Sequence, residues 1–411
     1  MQRRYWGLRK RKKRDKFYYS IFMKLAILGG KPVLAKKQSL PSLMGKEELA
    51  AVKKVMAGGV LSRSRRGFFV GKFEKEFARF FNIKYAISTN SGTSALHTAV
   101  CALGINPGDE ILVPALTFIS SASVILQERA RPVFVDIDSK TFNIDIADIQ
   151  RKITKKTKAI VAVHLYGCPA NIKEIIKIAK KYNLKVIEDC AQATGARLGG
   201  QQVGTFGDFG CFSFQQTKNM TCGEGGMVIC KNQELFQACS SVVDHGIVGN
   251  SLAEYNYNRL GYNYHLTELQ AAVGSEQLKK LEKINRQRKN NAQLYRKALK
   301  DAGLLFQKEP DNSAGVYYCL TALLPEEFKD KRDWFVRAVG AENIELFRLY
   351  PLALTQTELF KKAEKNTCPV ASDVANRLFN FSTHPLLPET YIKKSGEAVK
   401  KVLDYMRKGV K

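Results

Sequence analysis

Lys185-Val186-Ile187-Glu188-Asp189-Cys190-Ala191-Gln192 is an apolar run that closes on a carboxylate and turns at once into small and polar residues. A run this short and this rich in β-branched side chains reads as a strand, Lys185–Glu188, buried on both faces. A helical pattern covers the residues before it, Ile172–Tyr182, and another β-branched run, Ala159–Val163, precedes those. The same alternation extends outward in both directions. Strands are predicted at Tyr85–Ser88, Glu110–Val113, Pro132–Val135, Phe209–Ser213 and Met227–Cys230, with a further helix at Thr93–Leu103. Asn106-Pro107-Gly108-Asp109 is a turn between that helix and the next strand. Strands that alternate with helices imply an α/β fold with a largely parallel sheet covered on both faces.

The texture changes near Leu266. Leu266, Leu269, Val273, Leu278, Leu281 and Ile284 recur at roughly helical spacing, and charged residues dominate onward to Lys300. One long amphipathic helix, or two in tandem, is expected there. A smaller C-terminal α/β domain is expected over 287–411, closed by a helix whose apolar side carries Ile392, Val399, Leu403 and Met406. The large domain is placed at 23–286. Residues 1–22 stand apart as a basic extension expected to be disordered, with nine basic residues against Asp15. Its Phe17–Phe22 run mimics a signal peptide, but Lys24 interrupts the apolar stretch and no small-residue cleavage site follows.

With 411 residues, 45% hydrophobic and 25% charged, the chain can bury an ample core without a disulfide or metal staple. The nine cysteines include no Cys-x-x-Cys pair and the five histidines no His-Glu-x-x-His. Free thiols in a reducing cytoplasm are therefore expected, and no metal site. No apolar run is long enough to span a bilayer. The formal net charge of +28 raises nucleic acid as a partner. However, no zinc finger, RNP-like aromatic motif or compact basic stripe accompanies it. The excess sits on faces such as Lys177, Lys180, Lys181 and Lys185, so a solvated surface is the reading and specific nucleic-acid binding is not expected.

Three segments carry chemistry. Thr89-Asn90-Ser91-Gly92-Thr93-Ser94-Ala95-Leu96 is a strand end, a glycine turn and a helix start. Free N–H groups at a helix N-terminus, with the hydroxyls of Thr93 and Ser94, make an anion site, although alone such a segment is more often only a capped helix. Asp189 ends its strand where ligands of open α/β sheets bind. An acid there can pair with a protonated pyridine nitrogen and make the ring an electron sink, although a lone strand-end Asp is more often a helix cap. The third segment, Gly210 to Met227, holds Lys218 between a buried strand and the glycine-dense turn Gly223-Glu224-Gly225-Gly226. Desolvation lowers an amine's pKa and makes it nucleophilic. The bland alternative is a lysine snorkelling from a strand edge.

Taken jointly, the motifs are specific. Ser91-Gly92-Thr93, Pro114-Ala115-Leu116-Thr117-Phe118, Val163-His164-Leu165-Tyr166-Gly167, Glu188-Asp189-Cys190-Ala191-Gln192, Ser213-Phe214 with Lys218, Gly223-Glu224-Gly225-Gly226 and Gly261-Tyr262-Asn263-Tyr264 follow one another in this order. From Lys24 onward the chain resembles the DegT/DnrJ/EryC1/StrS family of sugar aminotransferases, most closely between Gly71 and Gly274. The resemblance implies the type I pyridoxal-phosphate-dependent aminotransferase fold, its large domain built on a mostly parallel seven-stranded sheet. It implies pyridoxal 5'-phosphate as cofactor. Lys218 resembles the lysine that holds the cofactor as a Schiff base and shuttles protons, and Asp189 the acid facing the pyridine nitrogen. Gln192 resembles the residue near the phenolic oxygen, and Phe118 the aromatic against the ring. Gly92, Thr93, Ser94 and Ser213 match the phosphate-holding positions. Asn263 matches a residue that reaches the phosphate from the neighbouring subunit, which implies a homodimer with shared active sites. The implied reaction is transamination from L-glutamate or L-glutamine to a keto-sugar, most often nucleotide-linked. The wording Ser213-Phe214-Gln215-Gln216, with Leu25 to Pro32, is similar to members that aminate cyclitol ketones and keeps that acceptor as the alternative.

Two departures stand out. His265 replaces an arginine common in the family, and Phe347–Leu354 matches the family's Tyr-Pro and Pro-Leu-His pattern only loosely. Gly67 to Phe73 glances at a P-loop, but the spacing is short and Phe73 stands where Ser or Thr would hold magnesium. His164 reads equally as a general base or a structural histidine. His97 and His384 have no partner that the sequence identifies. Relatives that deoxygenate sugars carry histidine at the lysine position, so Lys218 argues against that chemistry. A non-catalytic regulatory or nucleic-acid-binding homologue is the remaining rival, favoured only by charge.

Overall fold

Seven apolar runs form one sheet in the computed structural model, which describes residues 24–62, 67–247, 256–361 and 368–409. The basic extension 1–22 lies outside the described residues. The strands are β1 (Tyr85–Thr89), β2 (Glu110–Pro114), β3 (Arg131–Val135), β4 (Thr157–Val163), β5 (Lys185–Asp189), β6 (Phe209–Ser213) and β7 (Gly226–Cys230). Side by side they run β1-β7-β6-β5-β4-β2-β3. β7 is antiparallel to both neighbours, and the remaining pairs are parallel. Every residue of β2, β6 and β7 is buried, as a sheet roofed on both faces requires. The strands lie within two residues of the positions read from sequence.

Alternation along β5 shows how the two roofs are held. Ile187 packs with Ala95, Ala99, Val124 and Ile125 of the Gly92–Ala102 and Ser120–Gln127 helices. Val186 faces the other way, onto Ile172, Ile175 and Ile178 of the Ile172–Lys181 helix. Beside that second roof, Phe212 of β6 meets Phe77 and Phe81 at ring-centroid distances of 5.0 and 4.7 Å. Among the described residues no helix is long and apolar enough to cross a membrane.

The helical pattern beyond Leu266 resolves as one helix, Glu268–Ala298, of 31 residues. Thr267 and Gln270 cap it reciprocally. The buried Glu268 carboxylate turns back to accept from the Phe69 and Val70 N–H groups at 2.6 and 3.0 Å, capping the Phe68–Phe80 helix. The two helices approach so closely that a Cβ on Gly274 would stand 2.8 Å from the Phe73 ring.

This helix runs unbroken through residue 287, where the smaller domain was expected to begin. Its second half gives Ala292 and Tyr295 to a separate core with Phe335, Phe379, Phe381, Val399 and Leu403. That core lies against a four-stranded antiparallel sheet ordered Leu305–Phe306, Leu320–Leu323, Leu378–Phe381, Leu346–Phe347. Leu25, grouped by sequence with the large domain, is fully buried in this second core, and Val33 and Leu34 pack against it. The cause is Glu342. Its buried carboxylate accepts from the Ala26 and Val33 N–H groups, each at 2.9 Å, and pairs with Lys401 Nζ at 2.8 Å. Contacts spanning 316 and 309 residues leave no local periodicity to read.

Glu342→Ala would strand a nearly buried ammonium and two N–H groups, a loss of about 3–5 kcal/mol. The expected outcome is a lower denaturant midpoint, with tryptic cleavage at Lys31 faster than in the wild type.

Candidate active site

The carboxyl ends of β1, β5 and β6 open toward one edge of the sheet, each followed by a turn that places a polar residue. At the end of β1, Ser91 caps the Gly92–Ala102 helix by accepting from the Ser94 N–H at 3.0 Å. The Ser94 hydroxyl donates to Asn90 Oδ1 at 2.6 Å and lies 2.9 Å from the Ser91 hydroxyl. Thr93 shares a hydrogen bond with Ser120 at 2.7 Å. The N–H groups of Gly92 and Thr93, first in the helix, are left without partners among the described residues. Ser213, ending β6, closes on them. A Cβ on Gly92 would stand 2.6 Å from the Ser213 Cβ, so only glycine permits this approach.

Asp189 ends β5 and is 6% exposed. Its Oδ2 accepts from the Ser121 hydroxyl at 2.8 Å and its Oδ1 from the Ala191 N–H at 3.1 Å. Ser121 is itself held 3.0 Å from Thr117. No cation pairs with Asp189 directly among the described residues. Lys218, half-buried after β6, holds its Nζ 4.8 Å from the Tyr318 ring centroid. Burial lowers the Lys218 pKa, and the nearby negative charge of Asp189 works the other way.

Gln192 sits between two segments. Its Oε1 accepts from the Tyr166 N–H at 2.7 Å and its Nε2 donates to the Tyr350 hydroxyl at 2.5 Å. Tyr350 stacks on Tyr166 at 5.9 Å and lies 6.3 Å from Phe118, which remains 55% exposed. Burial, then the neighbouring Tyr318 and Asp189, pushes the Tyr350 hydroxyl's pKa up.

Gly92, Thr93, Ser94 and Ser213 thus form one group, and Asp189, Gln192, Phe118 and Lys218 a second beside it. Asn263 is not drawn into either. It is exposed, and its carbonyl accepts a long 3.5 Å bond from Asn90 Nδ2. Ser121, Tyr166, Tyr318 and Tyr350 line the site but were not singled out from sequence. Tyr318 and Tyr350 come from the remote second unit, and Tyr350 lies in the loosely matching Phe347–Leu354 segment.

The histidines resolve differently. His164 is fully buried; its Nδ1 accepts from the Ala170 N–H at 3.0 Å and its Nε2 lies 3.0 Å from Glu188 Oε2. Both ring nitrogens are occupied by the framework, so His164 is structural and the general-base reading falls. His97 bridges the Tyr264 hydroxyl at 2.8 Å and Glu128 at 2.9 Å. His265 contacts Asp244 at 3.1 Å.

The model of the DegT/DnrJ/EryC1/StrS aminotransferase family matches residues 42–400. GDP-perosamine synthase of Vibrio cholerae is 35% identical over 360 residues, covering 88% of this chain and 97% of that protein. UDP-N-acetyl-3-dehydro-alpha-D-glucosamine 3-aminotransferase of Acidithiobacillus ferrooxidans is 38% identical over 331 residues, covering 80% of this chain and 87% of that one. The crystal structure of an aminotransferase from Psychrobacter cryohalolentis superposes with a TM-score of 0.83 at 33% identity, covering 90% of this chain and all of its own.

Glu188 supports the site from behind, accepting at 2.7 Å from each of the Gly204, Phe206 and Gly207 N–H groups as well as facing His164. In Glu188→Gln an amide NH2 would confront these donors, with an expected loss of about 3 kcal/mol. Thermal unfolding of the purified variant would show it as a clear drop in Tm.

Proposed function

The chain belongs to the DegT/DnrJ/EryC1/StrS aminotransferase family, whose enzymes depend on pyridoxal phosphate, and from that premise we propose that it transfers an amino group from L-glutamate or L-glutamine to a nucleotide-linked keto-sugar, using Lys218. Two features of the site fit the cofactor. The unclaimed N–H groups of Gly92 and Thr93, with Thr93, Ser94 and Ser213 hydroxyls around them, suit a phosphate at a helix N-terminus. The buried Asp189, a carboxylate without a directly paired cation among the described residues, suits a protonated ring nitrogen.

When bound, the cofactor supplies an electron sink for the pair released as a C–H bond next to nitrogen breaks. The protein does the rest. Lys218 would hold the cofactor through Nζ, and its amine would take the donor's α-proton and pass it to the neighbouring carbon. Burial lowers the Lys218 pKa, which favours the neutral amine that this role needs. Asp189, braced by Ser121, would keep a ring nitrogen protonated. Gln192, fixed by Tyr166 and Tyr350, would serve the phenolic oxygen, and Phe118 would cover the ring. Asn263, exposed at the mouth of the Gly92 turn, serves the phosphate of the partner subunit in a homodimer. Nine free thiols support a reducing cytoplasmic setting.

The observation that carries the reading is the buried Asp189, touched only by the Ser121 hydroxyl and the Ala191 N–H, beside the unclaimed N–H groups at the Gly92 turn and the half-buried Lys218 amine. The names of the two curated relatives, one for a GDP-linked and one for a UDP-linked sugar, support the keto-sugar over the cyclitol ketone. Purified enzyme should show a visible absorption band that borohydride abolishes, leaving its label on Lys218. Lys218→Ala should lose turnover, and Asp189→Asn should fall by about 100-fold or more in kcat. Full transamination by Lys218→Ala would defeat the assignment. A panel of GDP- and UDP-linked keto-sugars and cyclitol ketones, each tried with both donors, identifies the acceptor.

A further inference from the structure

His97 and Cys101 stand four residues apart in the Gly92–Ala102 helix, so their side chains share one face. Glu128, which follows the Ser120–Gln127 helix, meets that face from its neighbour. His97 Nε2 lies 2.9 Å from Glu128 Oε1, and the Cys101 thiol donates to the same oxygen at 3.2 Å. All three donor atoms fall within 4.8 Å of one another. The other ring nitrogen is engaged elsewhere: His97 Nδ1 lies 2.8 Å from the Tyr264 hydroxyl. The Tyr262 and Tyr264 rings wall the imidazole, with centroids at 5.0 and 5.9 Å. His97 is buried, whereas Cys101 and Glu128 are both part-exposed, so solvent reaches the cluster from their side. The sequence shows the spacing of His97 and Cys101 but not the third member, because Glu128 belongs to a different helix.

Protons on Sγ and Nε2 close this cluster by hydrogen bonds, and one divalent cation can replace both. Three features prepare it for that exchange. Imidazole, thiolate and carboxylate are together a ligand set that suits zinc. A proton on Nδ1, donated to the Tyr264 hydroxyl, turns the Nε2 lone pair into the cluster, the outer bond that metal-bound histidines make. A thiolate and a carboxylate also cancel the charge of the ion, so a neutral unit is formed in a mostly buried place. Tetrahedral zinc holds such ligands about 3.3–3.8 Å apart, a spacing reached by small movements, chiefly of the part-exposed Glu128.

We propose that His97 Nε2, Cys101 Sγ and the Glu128 carboxylate bind a zinc ion, with water in the fourth position. On binding, the thiol proton leaves to solvent and the imidazole keeps its proton on Nδ1. The ion cross-links two helices whose opposite ends build the candidate active site. Gly92 and Thr93 begin the first helix, while Ser120 and Ser121 begin the second and touch Thr93 and Asp189. The transamination proposed above is not routed through the ion, so this site stands or falls independently of that reading.

The test titrates full-length holoenzyme, freed of metal by a chelator, first with Co2+ and then with Zn2+. Co2+ should bind at one equivalent per chain and give the visible d–d bands of tetrahedral geometry, to the red of the cofactor's absorption. One equivalent of Zn2+ should erase them. Cys101→Ser and Glu128→Gln should each weaken zinc binding by about 100-fold or more, and Tyr264→Phe, which removes the outer partner of His97, by about 10-fold. Zinc at about 100 times its Kd should raise the wild-type Tm by several degrees and leave that of Cys101→Ser unmoved. X-ray absorption of the zinc-loaded wild type should find one sulfur at about 2.3 Å and nitrogen or oxygen at about 2.0–2.1 Å. That measurement stands even if a variant does not fold. Binding of less than one equivalent, a coordination shell without sulfur, or unchanged affinity in Cys101→Ser would each overturn the proposal.

Discussion

Two adjacent carboxylates at the end of β5 point to opposite faces of the sheet, and the rest of the structure depends on that division. Alternation along a strand sends Glu188 to the side of Val186 and Asp189 to the side of Ile187. Glu188 is consumed by the framework, gathering three backbone N–H groups and His164 into a buried knot. Asp189 emerges on the side of the Gly92 and Ser120 helices, where only hydroxyl and backbone donors touch it. One acid fixes the loop behind the strand; the other is left for chemistry. A shift of register by one residue would exchange them and destroy both roles.

The same logic recurs through the molecule. Buried acids act as long-range staples: Glu268 caps the Phe68–Phe80 helix, Asp136 accepts from the Val370 and Ala371 N–H groups, and Glu342 holds the first described segment against the second core. In each case backbone N–H groups or a lysine satisfy the charge, which is what burial demands. Asp189 departs from this pattern, and it lies beside Lys218. A charge that a fold buries without full internal compensation is where a ligand of opposite sign gains most.

Three tyrosines of the same region carry backbone strain. Tyr166, Tyr317 and Tyr350 all have positive φ, at 60°, 47° and 62°, in a part of conformational space that bulky side chains rarely occupy. Their hydrogen bonds explain how the strain is held. Tyr166 donates its N–H to Gln192 and its hydroxyl to the Leu349 carbonyl, next to Tyr350. The Tyr318 N–H donates to the Tyr166 carbonyl at 3.0 Å. The cleft wall is thus assembled from both units of the chain, each fixing the other's unfavourable conformation.

Local chemistry marked the seven strands, two of the helices between them and the Gly92 turn, whereas Lys218 and Asp189 stood out only once the motifs were matched jointly to the family. β-Branched runs, helical periodicity and glycine at a steric bottleneck are properties of neighbours in sequence, so they can be read there. Tertiary structure decided the rest. It made His164 a structural residue, joined Leu25 to the second core, carried one helix through the expected domain boundary, and brought Tyr350 to Gln192 across 158 residues. It also left Arg288, one basic residue among many on an amphipathic helix, buried without an acid. Nothing in sequence distinguishes that arginine from its solvated neighbours, because the cost of burying a charge depends on what surrounds it in space.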